Sequence, residues 1–308
     1  MAVVLVLSWR PLAGKSTVTV GLAQALRRSG VAAAAARLGD DDAAARDAAL
    51  YRSLGLAPDQ RGAPLSAQDV PALAQGRTLV LECPPGPAPA EWRQWGARAL
   101  AVVRYPEAEV GTGGALSEMG EALLGVLVTC VPRRRADRVR HEMASAGLRL
   151  LGLVEEDRKL ASPTLGQLAA AVEGEVHFGP GREEMVLDRV FISPISADPG
   201  QGYFVRHRPT AVIVRSDKPD LQLGAFNAGV PCLIVTGTVP VLPYVLQRAE
   251  EDLTPLLLTP LGTLDVAQRL DDLIGQVPLQ GREKAERAAE LVEGALSGAG
   301  LEALLAAS

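Results

Sequence analysis

The chain has 308 residues, an apolar content of 48% and a formal net charge of −5; this length suits two domains better than one, and the apolar content supplies a sizeable core. The charge gives no electrostatic case for nucleic acid, and the densest basic cluster, Arg133-Arg134-Arg135 with Arg138 and Arg140, fits a solvated helix face. The three widely spaced cysteines, Cys83, Cys130 and Cys232, read as buried thiols in a reducing compartment rather than a zinc site or a disulfide set. No run approaches ~20 uninterrupted apolar residues and no secretory leader is recognisable, so a soluble cytoplasmic protein is expected, with neither membrane nor nucleic acid as partner.

Ala2 to Leu7 is an unbroken apolar run rich in β-branched residues, the pattern of a strand buried on both faces of a parallel sheet. A loop, Ser8 to Thr17, follows. Val18, Leu22, Ala25 and Leu26 then recur at helical spacing until Gly30. Strand, loop ending in Gly14-Lys15-Ser16-Thr17, then helix is the context of a phosphate-binding loop. Backbone N–H groups would face an anion, Lys15 would reach the β/γ-phosphates of ATP, and the Ser16 hydroxyl would hold Mg²⁺. The common pattern G-x-x-x-x-G-K-[ST] would place glycine at position 9, which is Trp9. The competing reading is a tight corner relieved by Gly14, with Lys15 in solvent.

A weak second strand spans residues 31–36, followed by Arg37 and then Asp40-Asp41-Asp42 at its carboxyl end. In open α/β sheets ligands sit at that end, so this acidic run could hold Mg²⁺ or position a substrate. Equally, it could cap the next helix, 43–54. Residues 57–74 are polar and punctuated by Pro and Gly, with a short helix expected near 67–75. Thr78 to Glu82 is a third buried strand with a carboxylate at its end, the usual place for a Mg²⁺-binding or water-orienting group opposite a phosphate loop. Trp92 and Trp95 suit core packing. Further strands are expected at 99–103, 124–128 and 149–154, with Gly111 to Gly114 as a flexible loop and a helix over 133–146. The alternation predicts a doubly wound, mainly parallel sheet with right-handed crossovers.

From residue 161 the texture changes. Ser162-Pro163-Thr164 caps a helix, and 193–202 reads as a Pro/Gly-rich loop. Strands at 210–214, 232–236 and 255–258 alternate with helices at 219–228, 241–249 and 263–274, a second and smaller α/β unit. A last amphipathic helix spans 281–296. The three histidines, His141, His177 and His207, have no carboxylate or serine partner at a readable spacing and are expected at the surface.

The collinear set Ala13 to Thr17, Asp40 to Ala43 with Asp47, Leu79 to Glu82, Gly125 to Val128 with Val131-Pro132, and Leu151 to Leu160 resembles the amino-terminal half of long-form bacterial phosphotransacetylase and its stand-alone relatives. Those relatives join a dethiobiotin-synthetase-like P-loop domain, often labelled cobyrinic acid a,c-diamide synthase-like, to a DRTGG domain. The resemblance implies a P-loop domain at 1–161, a DRTGG domain at 162–280, and a terminal helix, 281–308, packed on the latter. Asp217-Lys218 stands where relatives have Asp-Arg, and Thr236-Gly237-Thr238 where they have Thr-Gly-Gly, so Asp217, Lys218, Thr236 and Gly237 are its ligand candidates.

Other departures fall on ligand-facing positions. Ser8 replaces the first glycine of a dethiobiotin-synthetase-type loop, Arg37 a lysine, and Thr129 an asparagine that reads adenine. Arg10 stands where MinD-like ATPases hold a second lysine, and is taken as coincidence. The resemblance thus implies a nucleotide-binding regulatory protein, a homo-oligomer with a metabolic enzyme as partner. Without the acetyltransferase and glutamine-amidotransferase domains of relatives, neither activity is expected. The competing expectation is an ATP- and Mg²⁺-dependent ligase that activates a small carboxylate as an acyl phosphate. There Ser16, Glu82 and Asp40 would hold the metal, and Arg37 or Asp40 would position the acceptor. No catalytic residue is assigned.

Overall fold

The computed structural model describes residues 2–106, 116, 119–179, 181–193, 197–296 and 306. The expected glycine-rich loop Gly111 to Gly114 lies outside them. The chain divides into two compact units: Met1–Asp157 together with Lys284–Ser308, and Arg158–Glu283 between them.

The first unit begins β1 (Ala2–Leu7), α1 (Lys15–Arg28), β2 (Ala33–Arg37), α2 (Asp42–Ser53), α3 (Val70–Leu73) and β3 (Thr78–Glu82). It continues through β4 (Arg98–Arg104), β5 (Leu123–Val131), α4 (Ala136–Ser145) and β6 (Leu150–Glu155). The six strands run in the order β2-β3-β1-β4-β5-β6, and every pairing is parallel. Alternation along β1 divides its side chains between two faces. Val3, Leu5 and Leu7 join a cluster with Leu79, Leu81 and Trp95, and both faces are covered, as an all-parallel sheet requires. Trp95 therefore packs in the core, as expected.

Local signals explain the helix starts. Asp41 caps α2 by accepting from the Ala44 N–H at 2.6 Å. The α3 helix is a single turn, shorter than the sequence suggested, and the Trp92 segment is a 3₁₀ turn, Ala90–Arg93.

The second unit holds α5 (Arg158–Ala161), α6 (Leu165–Ala171), β7 (Glu175–His177), β8 (Val190–Ile192) and α7 (Ala197–His207). Then come β9 (Ala211–Arg215), α8 (Pro219–Asn227), β10 (Leu233–Thr236), α9 (Pro243–Glu251), β11 (Leu256–Thr259) and α10 (Thr263–Leu273). Its five strands lie in the order β7-β11-β10-β9-β8, parallel except for β7 at one edge. Alternate residues of β9 to β11 feed two cores, Val212, Val214 and Val235 on one face and Ile213, Ile234 and Leu257 on the other. Thr164 forms a capping box on α6, accepting from Gln167 N and donating its own N–H to Gln167 Oε1.

Two expectations fail here. Much of the anticipated loop 193–202 is the first half of α7, because Pro199 falls in the first turn, where a missing N–H costs nothing. His207 is the last residue of that helix. The last helix, Arg282–Ala295, belongs from Lys284 onward to the first unit, although the resemblance places it with the second. Its buried stripe, Ala285, Ala288, Ala289 and Val292, lies against α1 at Gly21, and Arg28 of α1 pairs with Glu293. Gly21 makes this approach possible, since a Cβ there would lie 2.4 Å from the Val292 Cβ.

Replacing a helical glycine by alanine ordinarily stabilises by about 1 kcal/mol. Gly21→Ala is expected to do the opposite and lower stability by about 1–3 kcal/mol, because a Cβ there would overlap the branched Val292 side chain. Urea denaturation measures the sign; a stabilised variant would mean the last helix does not seat on α1.

Candidate functional site

The order β2-β3-β1 sets three strand ends side by side. Arg37 is the register partner of Glu82, and Val6 faces Glu82 from the other side. The loop 8–14 leaves β1 at this edge and enters α1. Gly14 is the residue before the helix, with φ +90°, and its carbonyl accepts the Val18 N–H. No side chain caps α1 and no acid lies in its first turn. Its amino end therefore keeps first-turn N–H groups that no side chain caps, the usual setting for an anion.

Two residues that looked like losses fasten this loop from within. Lys15 is buried, and its Nζ donates to Ser8 Oγ at 2.7 Å; Ser8 Oγ in turn donates to the Arg10 carbonyl at 2.8 Å. Thr129 Oγ1, at the end of β5, donates to the Ala13 carbonyl at 2.7 Å. The Thr129 side chain also closes the space over Gly14, where a Cβ would lie 3.2 Å from it. Lys15 in solvent, the bland expectation, is excluded by this geometry. Thr17 follows, half-buried in the first turn.

Behind the loop lies a buried acid–base cluster. The Ser16 hydroxyl is 3.2 Å from Glu82 Oε1 and 3.3 Å from Asp47 Oδ1. The Tyr51 hydroxyl donates to Glu82 Oε2. Asp47 and Tyr51 are one turn apart on α2, so both side chains reach the same point. Arg37 is buried, with Nε 3.4 Å from Asp47 Oδ2. Among the described residues, neither its Nε nor its Nη1 has a hydrogen-bond partner.

Burial dominates the electrostatics. Glu82 is pushed up to about 7 by desolvation and then by Asp47, against the pull of Arg37, Tyr51 and Lys15. Desolvation likewise raises Asp47 despite Arg37, raises Tyr51 well above its usual range, and lowers Lys15 despite Glu82. Cys83 and Cys232 are buried thiols pushed up to about 12, the first by desolvation and Glu82, the second by desolvation alone. Cys130 differs from expectation in being half-buried.

The structure thus brings together Gly14, Lys15, Ser16, Arg37 and Glu82. It does not bring in Asp40, which is exposed and makes no hydrogen bond with Ser16 or Glu82; the carboxylate beside Ser16 is Asp47. Of the acidic run, Asp41 serves as the helix cap, which is the structural half of the earlier alternative. Asp47 and Tyr51 went unassigned in the sequence, although their one-turn spacing on a helix following an acidic strand end was a usable signal.

In the second unit Gly237 has φ +106° and a Cβ there would lie 3.1 Å from Ser216 Oγ. Thr236 is buried, its hydroxyl 2.9 Å from that of Thr263. Asp217 is held by the Arg215 guanidinium, and Lys218 precedes α8 as its cap residue. Only Gly237 of these four candidates borders the cleft at the strand ends.

Among the described residues no helix is long and apolar enough to cross a membrane, and no group of three or more His, Cys, Asp or Glu is placed to hold a metal. Over 164 residues the chain is 29% identical to the phosphate acetyltransferase of Acinetobacter baylyi (strain ATCC 33305 / BD413 / ADP1), a match covering 50% of this chain but only 22% of that protein. The chain is similar to the MinC:MinD cell division protein complex of Aquifex aeolicus, with a TM-score of 0.37 and 16% identity over 52% of this chain and 83% of that one. It is also similar to the CBS and DRTGG domains of the regulatory region of Clostridium perfringens pyrophosphatase, complexed with the activator diadenosine tetraphosphate. There the TM-score is 0.32, with 12% identity over 47% of this chain and 72% of that one. Residues 167–273 match the model of the DRTGG domain, which therefore lies within the second unit.

Proposed function

We propose that this chain is a nucleotide-binding regulatory protein, in which the loop 8–17 holds the phosphates of ATP and the DRTGG domain senses an effector. One observation carries the reading: Gly14, Lys15 and Ser16 stand at an uncapped helix amino end, with Ser16 within hydrogen-bond distance of Glu82 and Asp47. Resemblance to the amino-terminal half of long-form phosphotransacetylase supports the regulatory role, and implies a metabolic enzyme as partner and a homo-oligomer.

The oxygen donors present fit a hard divalent cation. Ser16 Oγ, Glu82 and Asp47 would hold Mg²⁺, whose contribution when bound is to neutralise phosphate charge. Lys15 must leave Ser8 to reach a phosphate, so the resting hydrogen bond competes with the nucleotide. The orphaned Arg37 donors favour an anion close by, and they are also what supports a second reading. In that reading Arg37 orients the carboxylate of a small acceptor for transfer of the γ-phosphoryl group of ATP, as in a dethiobiotin-synthetase-like ligase.

ATP with Mg²⁺ is expected to raise the melting temperature of the protein, and Lys15→Ala to weaken ATP binding on the order of tenfold or more. The absence of any shift with ATP would sink both readings. Lys15-dependent phosphate release with a small carboxylate would favour the ligase over the regulator.

Ser8→Ala removes the competitor for Lys15. Loss of a hydrogen bond of about 1 kcal/mol in the free state should tighten ATP binding about fivefold. Calorimetric titration measures this; a weaker binder would show that Ser8 serves the nucleotide and not the resting loop.

The raised Glu82 also gives the free protein a pH dependence. Its folded form holds a proton up to about pH 7, whereas the unfolded carboxyl releases it near its ordinary 4.5. Between those values the folded state binds more protons, so this group's contribution makes stability fall as pH rises, and Asp47 acts in the same direction. Denaturant midpoints from pH 4.5 to 8 should show the decline, and Glu82→Gln should flatten it. A decline of equal slope in the variant would place the titrating group elsewhere.

A further inference from the structure

The second unit has a cleft of about 310 Å³ at the carboxyl ends of β9, β10 and β11, the edge where α/β sheets take ligands. Its walls differ in character. Glu173 and Glu175 stand on one side, with His177 Nε2 3.5 Å from Glu175 Oε2. Val239 and Val241 supply apolar lining, and Val239 is exposed. At the floor lies Ser216, only 6% exposed, next to Gly237. Among the described residues the Ser216 hydroxyl has no hydrogen-bond partner, although its backbone N–H and carbonyl are both engaged. A buried hydroxyl left open at the floor of a cleft is an unfilled position for a ligand atom. A side chain at 237 would crowd this hydroxyl, so glycine keeps the floor open.

The lining decides the ligand class. No lysine or arginine is among its described residues, and two carboxylates are. A phosphate or carboxylate would meet repulsion from the two carboxylates, and the His177 imidazole in the lining already faces Glu175 at 3.5 Å. A metal ion would find no group of three ligating side chains among the described residues. A cation carried on a hydrocarbon body satisfies both walls.

We propose that this cleft binds a small organic ammonium ion, its charged nitrogen at Glu173 and Glu175, its N–H groups within reach of Ser216, and its hydrocarbon part under Val239 and Val241. This deepens the regulatory reading by naming the kind of effector the DRTGG domain would sense. Its test does not use the phosphate loop, so the two can fail separately.

The full chain is titrated calorimetrically with phenethylamine, tyramine and isoamylamine, and in parallel with phenylpropionate, AMP and MgCl₂. The amines are expected to bind, phenylpropionate and AMP not to bind at this cleft, and MgCl₂ not to compete with the amines. Glu173→Gln with Glu175→Gln should weaken the amines about tenfold, and Ser216→Ala severalfold. All three side chains lie at a cleft rather than in the core packing, and circular dichroism confirms folding of each variant. Lys15→Ala should leave amine binding unchanged, whatever it does to ATP. Three flat amine titrations at millimolar concentration would overturn the proposal. So would amine binding indifferent to these variants, or AMP or phenylpropionate binding that Ser216→Ala weakens.

Discussion

A carboxylate sealed at the end of a buried strand has to be answered by its surroundings, and in the first unit that demand falls to Glu82. It has one register neighbour on each side, Arg37 and Val6, because β3 lies between β2 and β1. Tyr51 supplies a hydroxyl to one oxygen and Ser16 stands near the other. Lys15 and Arg37 add positive charge without removing the desolvation cost. Everything that reads as a nucleotide site is also what keeps this acid in place. The arrangement is thus one in which stability and binding draw on the same side chains, and the same buried charge serves both.

The loop in front of Glu82 shows a second balance. Ser8 and Thr129 replace residues expected to face a ligand, yet each takes part in a short buried hydrogen bond that ties down the loop, Ser8 from within it and Thr129 from β5. Such substitutions lower the cost of an empty loop, since its lysine and a loop carbonyl are already satisfied. A protein that spends time unliganded benefits from this, whereas an enzyme selected for turnover would want the lysine free. That contrast is the physical content of the preference for a regulator over a ligase.

The frame was legible in the sequence because buried parallel strands announce themselves as short apolar runs, as at Val3 to Leu7 and Leu79 to Leu81. Strand order and the pairing of Arg37 with Glu82 were not legible, since they depend on which strands sit side by side. The placement of Lys15 and Ser16 at the start of α1 and of Glu82 at the end of β3 could be read from local context. Acid count alone favoured Asp40 to Asp42 over Asp47, although the spacing of Asp47 one turn before Tyr51 on α2 pointed to the latter. In the second unit, β7 and β8 have three residues each and α7 contains Pro and Gly, so periodicity had too little length to work on. The last helix was assigned to the wrong unit because an amphipathic stripe says that a face is buried, not against what. Two bare glycines identify its seat: Gly21 opposite Val292, and Gly152, where a Cβ would lie 2.3 Å from the Ala295 carbonyl oxygen.

That seating makes the second unit an insertion. The chain leaves the first unit after Asp157, builds all of Arg158–Glu283, and only then returns to supply the helix that covers α1. The domain that is first in sequence is therefore completed last. As the chain emerges from the ribosome, the face of α1 around Gly21 waits uncovered until some hundred and more residues of the other unit have been made, which invites the inserted unit to fold first. Removing the last helix would not trim an appendage of the DRTGG domain; it would strip a wall from the helix that carries Lys15.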